Sequence, residues 1–280
     1  MSSGREALWG TVTSPGTPAD RLATGALLIA TDEYPDLDID VHLAMLETMG
    51  ATLRRRLRPD ISPAEALIAL NRYLFDELGL RGNATEYYDP RNSHLNHVLA
   101  RRLGIPITLA VIYIDIGRRI GLPLEGVSFP GHFLVRCRLR GGLVFLDPYA
   151  RGVSLSEEEL RRRVAATQGG KSPDDERLRA LLRAATVPEI LARMLRNLKA
   201  IHLHAGDRHK ALVCADRTLT LLPDSVADLR ERAQLYLELE CFRAALTDFA
   251  RYTELAPEAA LADGIPAVLA ELRRRAASLN

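Results

Sequence analysis

Apolar residues in the first part of the chain recur with the period of an α-helix. Leu43, Leu46, Met49 and Leu53 are spaced by three or four residues and therefore share one helical face. Ser62, followed by proline and by glutamate three residues after the serine, is a typical helix start. Residues 107–120 are almost entirely apolar and predict a buried helix. The pattern thus predicts a helical layer over roughly residues 21–120.

Shorter extended runs follow the apolar helix. A Gly-Leu-Pro sequence at residues 121–123 ends that helix, and Arg140-Gly141-Gly142 predicts a tight hairpin turn between two strands. The predicted strands are residues 124–129, 132–139 and 143–146. Helical layer and small antiparallel sheet together indicate an α+β fold.

An internal repeat with a period of 34 residues occupies the last part of the chain. Residues 199–223 align with residues 233–257, and the aligned positions include Ala211 with Ala245 and Pro223 with Pro257. This period, with a small residue where paired helices cross, is the tetratricopeptide pattern. An all-α repeat domain is therefore predicted after the α+β domain.

The same patterns give the predicted domain boundaries. Residues 1–20 are rich in Gly, Ser, Thr and Pro and predict a loose lead-in. We expect the α+β domain at residues 21–170, a linker and connecting helix at 171–187, and the helical repeats with a capping helix at 188–280.

Composition excludes several classes of function. The net charge of +1 gives no reason to expect binding to nucleic acid or to a membrane, and the arginine clusters, including residues 161–163, are interpreted as solvated helix faces. The three cysteines are far apart and form no CxxC motif, which argues against a zinc ribbon or a disulfide framework. No apolar segment is long enough to span a bilayer, so a cytoplasmic location is expected.

Two residues near the predicted strands carry candidate chemistry. His132 lies in FPGHFLVR and Asp147 ends the run FLDP. Taken singly, the histidine is most simply a core residue and the aspartate a turn former. On neighbouring strands behind one helix, however, an aspartate can orient the imidazole and leave its other nitrogen for the proton of a nucleophile.

Three strings of this region resemble a known family. YYDPRNSHLNHVLARRLGIPITL, GLPLEGVSFPGHFLVR and FLDPYARG resemble the bacterial SirB family, which has a transglutaminase-like core of the papain-type fold and C-terminal tetratricopeptide repeats. The resemblance covers about residues 35–260 and implies that fold for both domains. It also implies that His132 and Asp147 stand at the histidine and aspartate positions of a transglutaminase site.

The resemblance does not supply a nucleophile. In an active transglutaminase core a Gly-x-Cys sequence opens the helix, and Gly-Ile-Pro follows about fifteen residues after the cysteine. Here Gly104-Ile105-Pro106 opens the helix and Gly121 lies fifteen residues after Pro106, so Pro106 stands at the cysteine position. Proline cannot form a covalent acyl intermediate. Thr108, which should face away, and Cys137, interpreted as a core residue, are the nearest substitutes.

Candidate binding residues come from the distinctive string before the helix. Asn92, Asn96, Arg101 and Tyr88 are the candidates, although Asn92 is more simply a helix N-cap. His94 and His97 lack a third ligand nearby and are expected on a helix surface, so neither a metal nor another cofactor is predicted.

These observations favour a non-catalytic regulatory or interaction protein. A protein or peptide partner would bind at the repeat domain, at the His132 cleft, or at both. The alternative is a hydrolase or acyl-transfer enzyme in which His132 and Asp147 act on water or on a non-standard nucleophile. A third reading assigns both residues a purely structural role.

Overall fold

The computed structural model describes residues 2–13 and 21–278 and divides the chain into two compact units, Met1–Met194 and Leu195–Asn280. The division falls inside helix α9, Val187–His204, and therefore later than the linker expected at residues 171–187. The stretch expected to hold a linker and a connecting helix contains one helix, Asp175–Leu181.

The first unit is built around one buried helix, α6. Its helices are α1 Ser2–Thr13, α2 Leu22–Thr31, α3 Ile39–Arg56, α4 Pro63–Asn71, α5 Leu95–Arg101, α6 Pro106–Arg119, α7 Glu157–Thr167 and α8 Asp175–Leu181, together with the first part of α9. Helix α6 contacts α2 to α5 and also strands β3 (Leu124–Val127) and β4 (Leu134–Leu139). Because helices and sheet both cover it, nearly all of α6 is buried, as its apolar sequence requires.

A four-stranded antiparallel sheet packs against α6. Its strands lie in the order β3, β4, β5 (Gly142–Asp147) and β6 (Val153–Leu155), each paired with the next along the chain. Leu139 pairs with Gly142, so the predicted hairpin between β4 and β5 is confirmed. Strand β6 was not predicted, because three residues are too few to show a period in the sequence.

A short parallel ladder lies beside the start of α6. Strand β1, Arg81–Gly82, pairs with β2, Leu103–Gly104, which directly precedes the helix. The sequence does not predict this ladder, since each strand has only two residues. It fixes the loop between residues 83 and 92 to the entry of α6.

The predicted cap at Ser62 is confirmed in atomic detail. Its hydroxyl accepts from the backbone N–H of Glu65 at 3.3 Å, and the Glu65 carboxylate accepts from the Ser62 N–H at 3.0 Å. Helix α4 then changes after Asn71 into a π-helical segment, Arg72–Glu77, which the sequence does not predict.

The expected loose lead-in is wrong for residues 2–13, which form α1. Trp9 and Val12, one helical turn apart, are buried, and α1 contacts α2. Their burial supplies the stabilisation that the surrounding glycine and serine residues do not. The rest of the expected lead-in, residues 14–20, lies outside the described residues.

The second unit consists of antiparallel helix pairs. Its helices are the remainder of α9, α10 Arg208–Leu221, α11 Val226–Glu238, α12 Phe242–Leu255, α13 Pro257–Ala262 and α14 Ile265–Ser278. Ala211 and Ala245, equivalent in the 34-residue repeat, are both fully buried. Their small side chains let the paired helices approach closely, so the predicted repeat architecture is confirmed.

Within residues 2–13 and 21–278, no helix combines the length and the apolar character that a transmembrane helix needs.

Candidate functional site

His132 and Asp147 are brought into direct contact. Asp147 is the last residue of β5, and His132 lies in the turn before β4, which begins at Leu134 rather than at His132 as predicted. Gly131, with a φ of +66°, forms this turn. The imidazole Nε2 lies 2.8 Å from the Asp147 Oδ1, within hydrogen-bonding distance.

The carboxylate of Asp147 is almost completely enclosed, with 3% of its side chain exposed. Oδ1 accepts from the backbone N–H groups of Tyr149 and Ala150, at 3.0 and 3.2 Å, and Oδ2 accepts from Arg163 Nη1 at 2.8 Å. Burial alone would raise the pKa of Asp147, but the hydrogen bonds from His132 and Arg163 outweigh it and hold that pKa below its usual range. Asp147 is therefore ionised at neutral pH.

The ionised carboxylate determines the tautomer of the histidine. A carboxylate can only accept, so in the neutral form of the ring Nε2 of His132 carries the proton and Nδ1 is left as an acceptor. In the part of the chain that the structure describes, no group donates a hydrogen bond to this Nδ1. Chemically, the site offers an oriented base with one open lone pair.

Tyr149 connects this pair to the start of α6. Its ring meets the His132 ring edge to face, with centroids 5.9 Å apart. The same ring lies on Gly82, where a Cβ would come within 2.3 Å of it, and Gly82 pairs with Gly104, two residues before Pro106. The histidine, the aspartate and the entry of α6 therefore share one small region.

Pro106 and its two possible substitutes, Thr108 and Cys137, are all buried. Pro106 is the first residue of α6 and is buried. The hydroxyl of Thr108, also buried, donates to the carbonyl oxygen of Asn92 at 2.7 Å and accepts from the backbone N–H of Ile105 at 3.1 Å. Cys137 lies fully buried on β4, and burial raises the pKa of its thiol, which keeps it protonated.

Replacement of Thr108 by valine tests this structural interpretation. Valine has the same shape but leaves the Ile105 N–H and the Asn92 carbonyl without a partner, so we expect a loss of roughly 1–3 kcal/mol in the free energy of unfolding. Urea unfolding monitored by circular dichroism measures it. An unchanged midpoint would mean that the hydroxyl is free for another role.

Asn92 is a structural residue of the preceding loop and not the N-cap that the sequence favours. The N-cap of α5 is His94, without a side-chain cap. The fully buried amide of Asn92 donates to the carbonyl oxygens of Glu86 and Tyr87, at 2.7 and 3.3 Å, and accepts from Asn83 at 3.2 Å. Asn83 was missed because a lone asparagine in a loop carries no distinguishing signal.

The other three predicted binding residues lie in three different environments. Arg101 binds Asp89 at 3.2 Å and thereby fixes the same loop. Tyr88, at the tip of that loop, has 74% of its surface exposed and packs edge to face on Tyr87. Asn96 is buried on α5, and its Oδ1 has no hydrogen-bond partner among the described residues. Asn92 and Arg101 thus hold the loop before α5 in place, whereas Tyr88 is exposed on the surface of that loop.

The helical histidines are less exposed than expected. His94 is buried, with Nε2 3.4 Å from Glu33 Oε2, and the ring of Tyr34 contacts both His94 and His97 edge to face. Among the residues that the structure describes, no group of three or more His, Cys, Asp or Glu side chains has the arrangement of a metal site.

This histidine cluster predicts a loss of stability in mild acid. Burial, and then the neighbouring His94, Arg101 and Arg91, lower the pKa of His97 below 6.5. The unfolded chain therefore takes up the proton first, and the stabilisation present above about pH 6.5 is lost as the pH falls below it. The urea midpoint should decrease between pH 7.5 and 5.5, and by less in His97→Gln. His204→Gln, at an exposed position, should leave the decrease unchanged.

Arg163 and Arg193 are site residues that the sequence does not reveal. The sequence predicts that Arg163 lies on a solvated helix face, but its side chain binds the buried Asp147 as well as Glu159. Arg193 donates to the backbone carbonyl of His132 at 2.9 Å. Only the i,i+4 spacing of Glu159 and Arg163 could have indicated that this arginine is held in place.

Comparison with known proteins now defines the class. The model of the transglutaminase-like superfamily matches residues 41–196, and that of the tetratricopeptide repeat matches residues 198–270. The chain belongs to the transglutaminase-like superfamily and carries C-terminal tetratricopeptide repeats.

Its bacterial relatives are UPF0162 proteins. One, from Xylella fastidiosa strain Temecula1, is 43% identical over 265 residues, 95% of this chain and 94% of the relative. Another, from Vibrio cholerae, is 30% identical over 243 residues, 85% of this chain and 87% of the relative. Human F-box only protein 21 is 32% identical over 187 residues, which cover 63% of this chain and 28% of that protein. The SirB-type architecture predicted from the sequence is thereby confirmed.

Proposed function

We propose that this is a non-catalytic interaction protein whose transglutaminase-like domain uses the His132 cleft for binding. The observation that carries the proposal is Pro106 at the first position of α6, where the resemblance places the nucleophilic cysteine. The two nearest alternatives support it. Thr108 uses its hydroxyl within the backbone, and Cys137 is buried with a raised pKa.

The surface beside His132 has the character of a binding surface. Tyr87 and Tyr88 are exposed at the end of a loop that the buried Asn92 holds from inside. This loop starts beside the His132–Tyr149 contact, because Gly82, the residue before it, lies against the ring of Tyr149. Rigid exposed tyrosines bury a large area at little cost in conformational entropy, so a peptide partner fits this surface.

The repeat unit supplies a second candidate surface. It contains a groove of about 670 Å³ whose lining includes Lys199, Leu203, Arg230, Gln234, Phe249 and Val268. Charged residues beside apolar ones suit an extended or helical peptide segment.

A cytoplasmic location is part of the same proposal and is supported by three free cysteines.

A hydrolase or acyl-transfer enzyme is the second candidate. The observation that favours it is the intact hydrogen bond between His132 and an ionised Asp147, which leaves Nδ1 free to accept a proton from water. The same geometry also orients a hydrogen-bond acceptor for a bound peptide.

Turnover and binding assays on the full chain distinguish the two candidates. The purified protein and His132→Ala are tested for incorporation of a radiolabelled amine into a glutamine peptide and for hydrolysis of ester and peptide substrates. We expect no turnover that depends on His132, and such turnover would overturn the proposal.

Binding is tested with a phage-displayed library of random peptides. We expect selected peptides to bind Tyr88→Ala at least about tenfold more weakly than wild type, since exposed tyrosines are frequent hot spots. Loss of thermal stability in His132→Ala, with peptide binding retained by both variants, would instead assign the site a structural role.

A further inference from the structure

A chain of hydrogen bonds connects the helical layer to the turn that holds Asp147. The hydroxyl of Tyr113, on α6, donates to Oδ1 of Asn71 at 2.7 Å, and Nδ2 of Asn71 donates to the carbonyl oxygen of Gly152 at 3.1 Å. Gly152 donates its own N–H to the carbonyl oxygen of Asp147 at 2.8 Å. Asn71 therefore uses both ends of its amide to connect a buried helix to this turn.

The turn approaches Asn71 so closely that only glycine fits at position 152. Its φ is +75°, and a Cβ would lie 2.1 Å from Asn71 Oδ1 and 2.7 Å from Nδ2. A second tether lies beside the first, because Arg151 forms an ion pair with Asp76 of the π-helical segment. The turn is thus held by the same stretch of helix at two successive residues.

Asn71 occupies an unusual place in its own helix. It is the last residue of α4, and the π-helical segment Arg72–Glu77 starts at the next residue. The Leu78 N–H bonds to the Tyr73 carbonyl at 2.9 Å, five residues back, as expected of a π-turn. Such segments are rare in proteins and occur frequently at functional sites.

We infer that Asn71 is a positioning residue for the His132–Asp147 pair. It acts through Gly152 on the turn at residues 147–152, whose backbone N–H groups and carboxylate set the direction of Asp147 Oδ1. Because Oδ1 holds the proton of His132 on Nε2, a shift of this turn changes the imidazole tautomer. The inference rests on the proposed function only in taking this pair as the centre of the site.

The test is the ¹⁵N spectrum of the histidine rings in the full chain. At a pH at which the ring is neutral, wild type should show one protonated and one unprotonated nitrogen for His132, whose resonances are assigned with His132→Gln. In Asn71→Leu, which keeps the branched shape of the side chain but removes its hydrogen bonds, the two shifts should move toward each other as the tautomers exchange. Tyr113→Phe should produce a smaller change in the same direction, because Asn71 keeps its bond to Gly152.

Thr31→Val is the matched control. It also removes a buried side-chain hydrogen bond, from Thr31 to the Leu28 carbonyl at 2.7 Å, but on α2 and outside the Asn71 chain. It should lower thermal stability without changing the His132 shifts. If Asn71→Leu does not fold, Tyr113→Phe decides. Folded variants with the wild-type His132 spectrum would overturn the inference.

This result is independent of partner binding, so the two proposals can fail separately. Altered His132 shifts in Asn71→Leu with unchanged peptide binding would uphold the positioning role and contradict the use of the His132 cleft. Unchanged shifts together with peptide binding that requires His132 would contradict the positioning role and uphold the proposed function.

Discussion

Asp147→Ala is expected to lower the free energy of unfolding of the first unit by about 3 kcal/mol, at the low end of the cost of removing one partner from a buried ion pair. The substitution removes the acceptor of His132, Arg163 and two backbone N–H groups at once. Arg163 is partly exposed and keeps its bond to Glu159, which is why the low end applies. In thermal unfolding the loss corresponds to a decrease of roughly 6–12 °C.

A matched control separates this effect from the loss of an ordinary ion pair. Asp175, 71% exposed, pairs with Arg161 on the same helix as Arg163, and Asp175→Ala should cost less than about 1 kcal/mol. Equal losses of unfolding free energy in the two variants would contradict the prediction that Asp147 contributes more to stability than an exposed ion pair.

The pH dependence of the same variant has a defined sign. The folded pKa of Asp147 is below that of the unfolded chain, so its stabilisation is present above about pH 4 and is lost as the pH falls further. The difference between wild type and Asp147→Ala should therefore narrow when unfolding is measured below pH 4. A difference that stays constant to pH 3 would mean that the carboxylate does not carry the effect as an ion.

Much of this architecture was predictable because it rests on local signals. The capping box at Ser62, the hairpin at Arg140-Gly141 and the 34-residue repeat each depend on residues close in sequence or on a fixed period. The family strings added the fold of the first unit, and they implied that His132 and Asp147 belong to one site.

The support of the candidate site was not predictable, because it depends on contacts between distant segments. Asn71 lies 81 residues from its partner Gly152, and Arg193 lies 61 residues from the carbonyl it binds. In the sequence, both are ordinary polar residues of amphipathic helices. Asn92 is the opposite case. Its residue type and position predict a helix N-cap, but its side chain forms hydrogen bonds within a loop.

The supporting residues bear on both candidate functions. Asp147 is fixed by backbone donors and by Arg163, and its turn is tied to Asn71 through Gly152. Such preorganisation serves a catalyst, but it equally serves a binding site whose acceptor must keep one tautomer. The proposed function takes the second use, since Thr108 uses its hydroxyl within the backbone and proline has no nucleophilic group.

Arg232→Ala is expected to cost the repeat unit roughly 3–5 kcal/mol, because it leaves a buried carboxylate without its cation. Arg232 binds Asp248 through two hydrogen bonds, of 2.7 and 2.8 Å, and reaches Asp216 at 3.0 Å. Only 6% of the Asp248 side chain is exposed, so the substitution leaves a largely buried negative charge. Hydrogen exchange of peptides from α11 and α12 measures the loss within this unit.

Arg230, two residues earlier on the same helix, is the matched control. It is 52% exposed and pairs with Asp263 at 2.7 Å, so Arg230→Ala should cost less than about 1 kcal/mol. Arg230 lines the groove of the repeat unit, whereas Arg232 is not among the groove residues. A peptide held in that groove should therefore bind Arg230→Ala more weakly although its hydrogen exchange is unchanged. Weaker binding in Arg232→Ala alone would mean that the peptide responds to loss of structure and not to the groove.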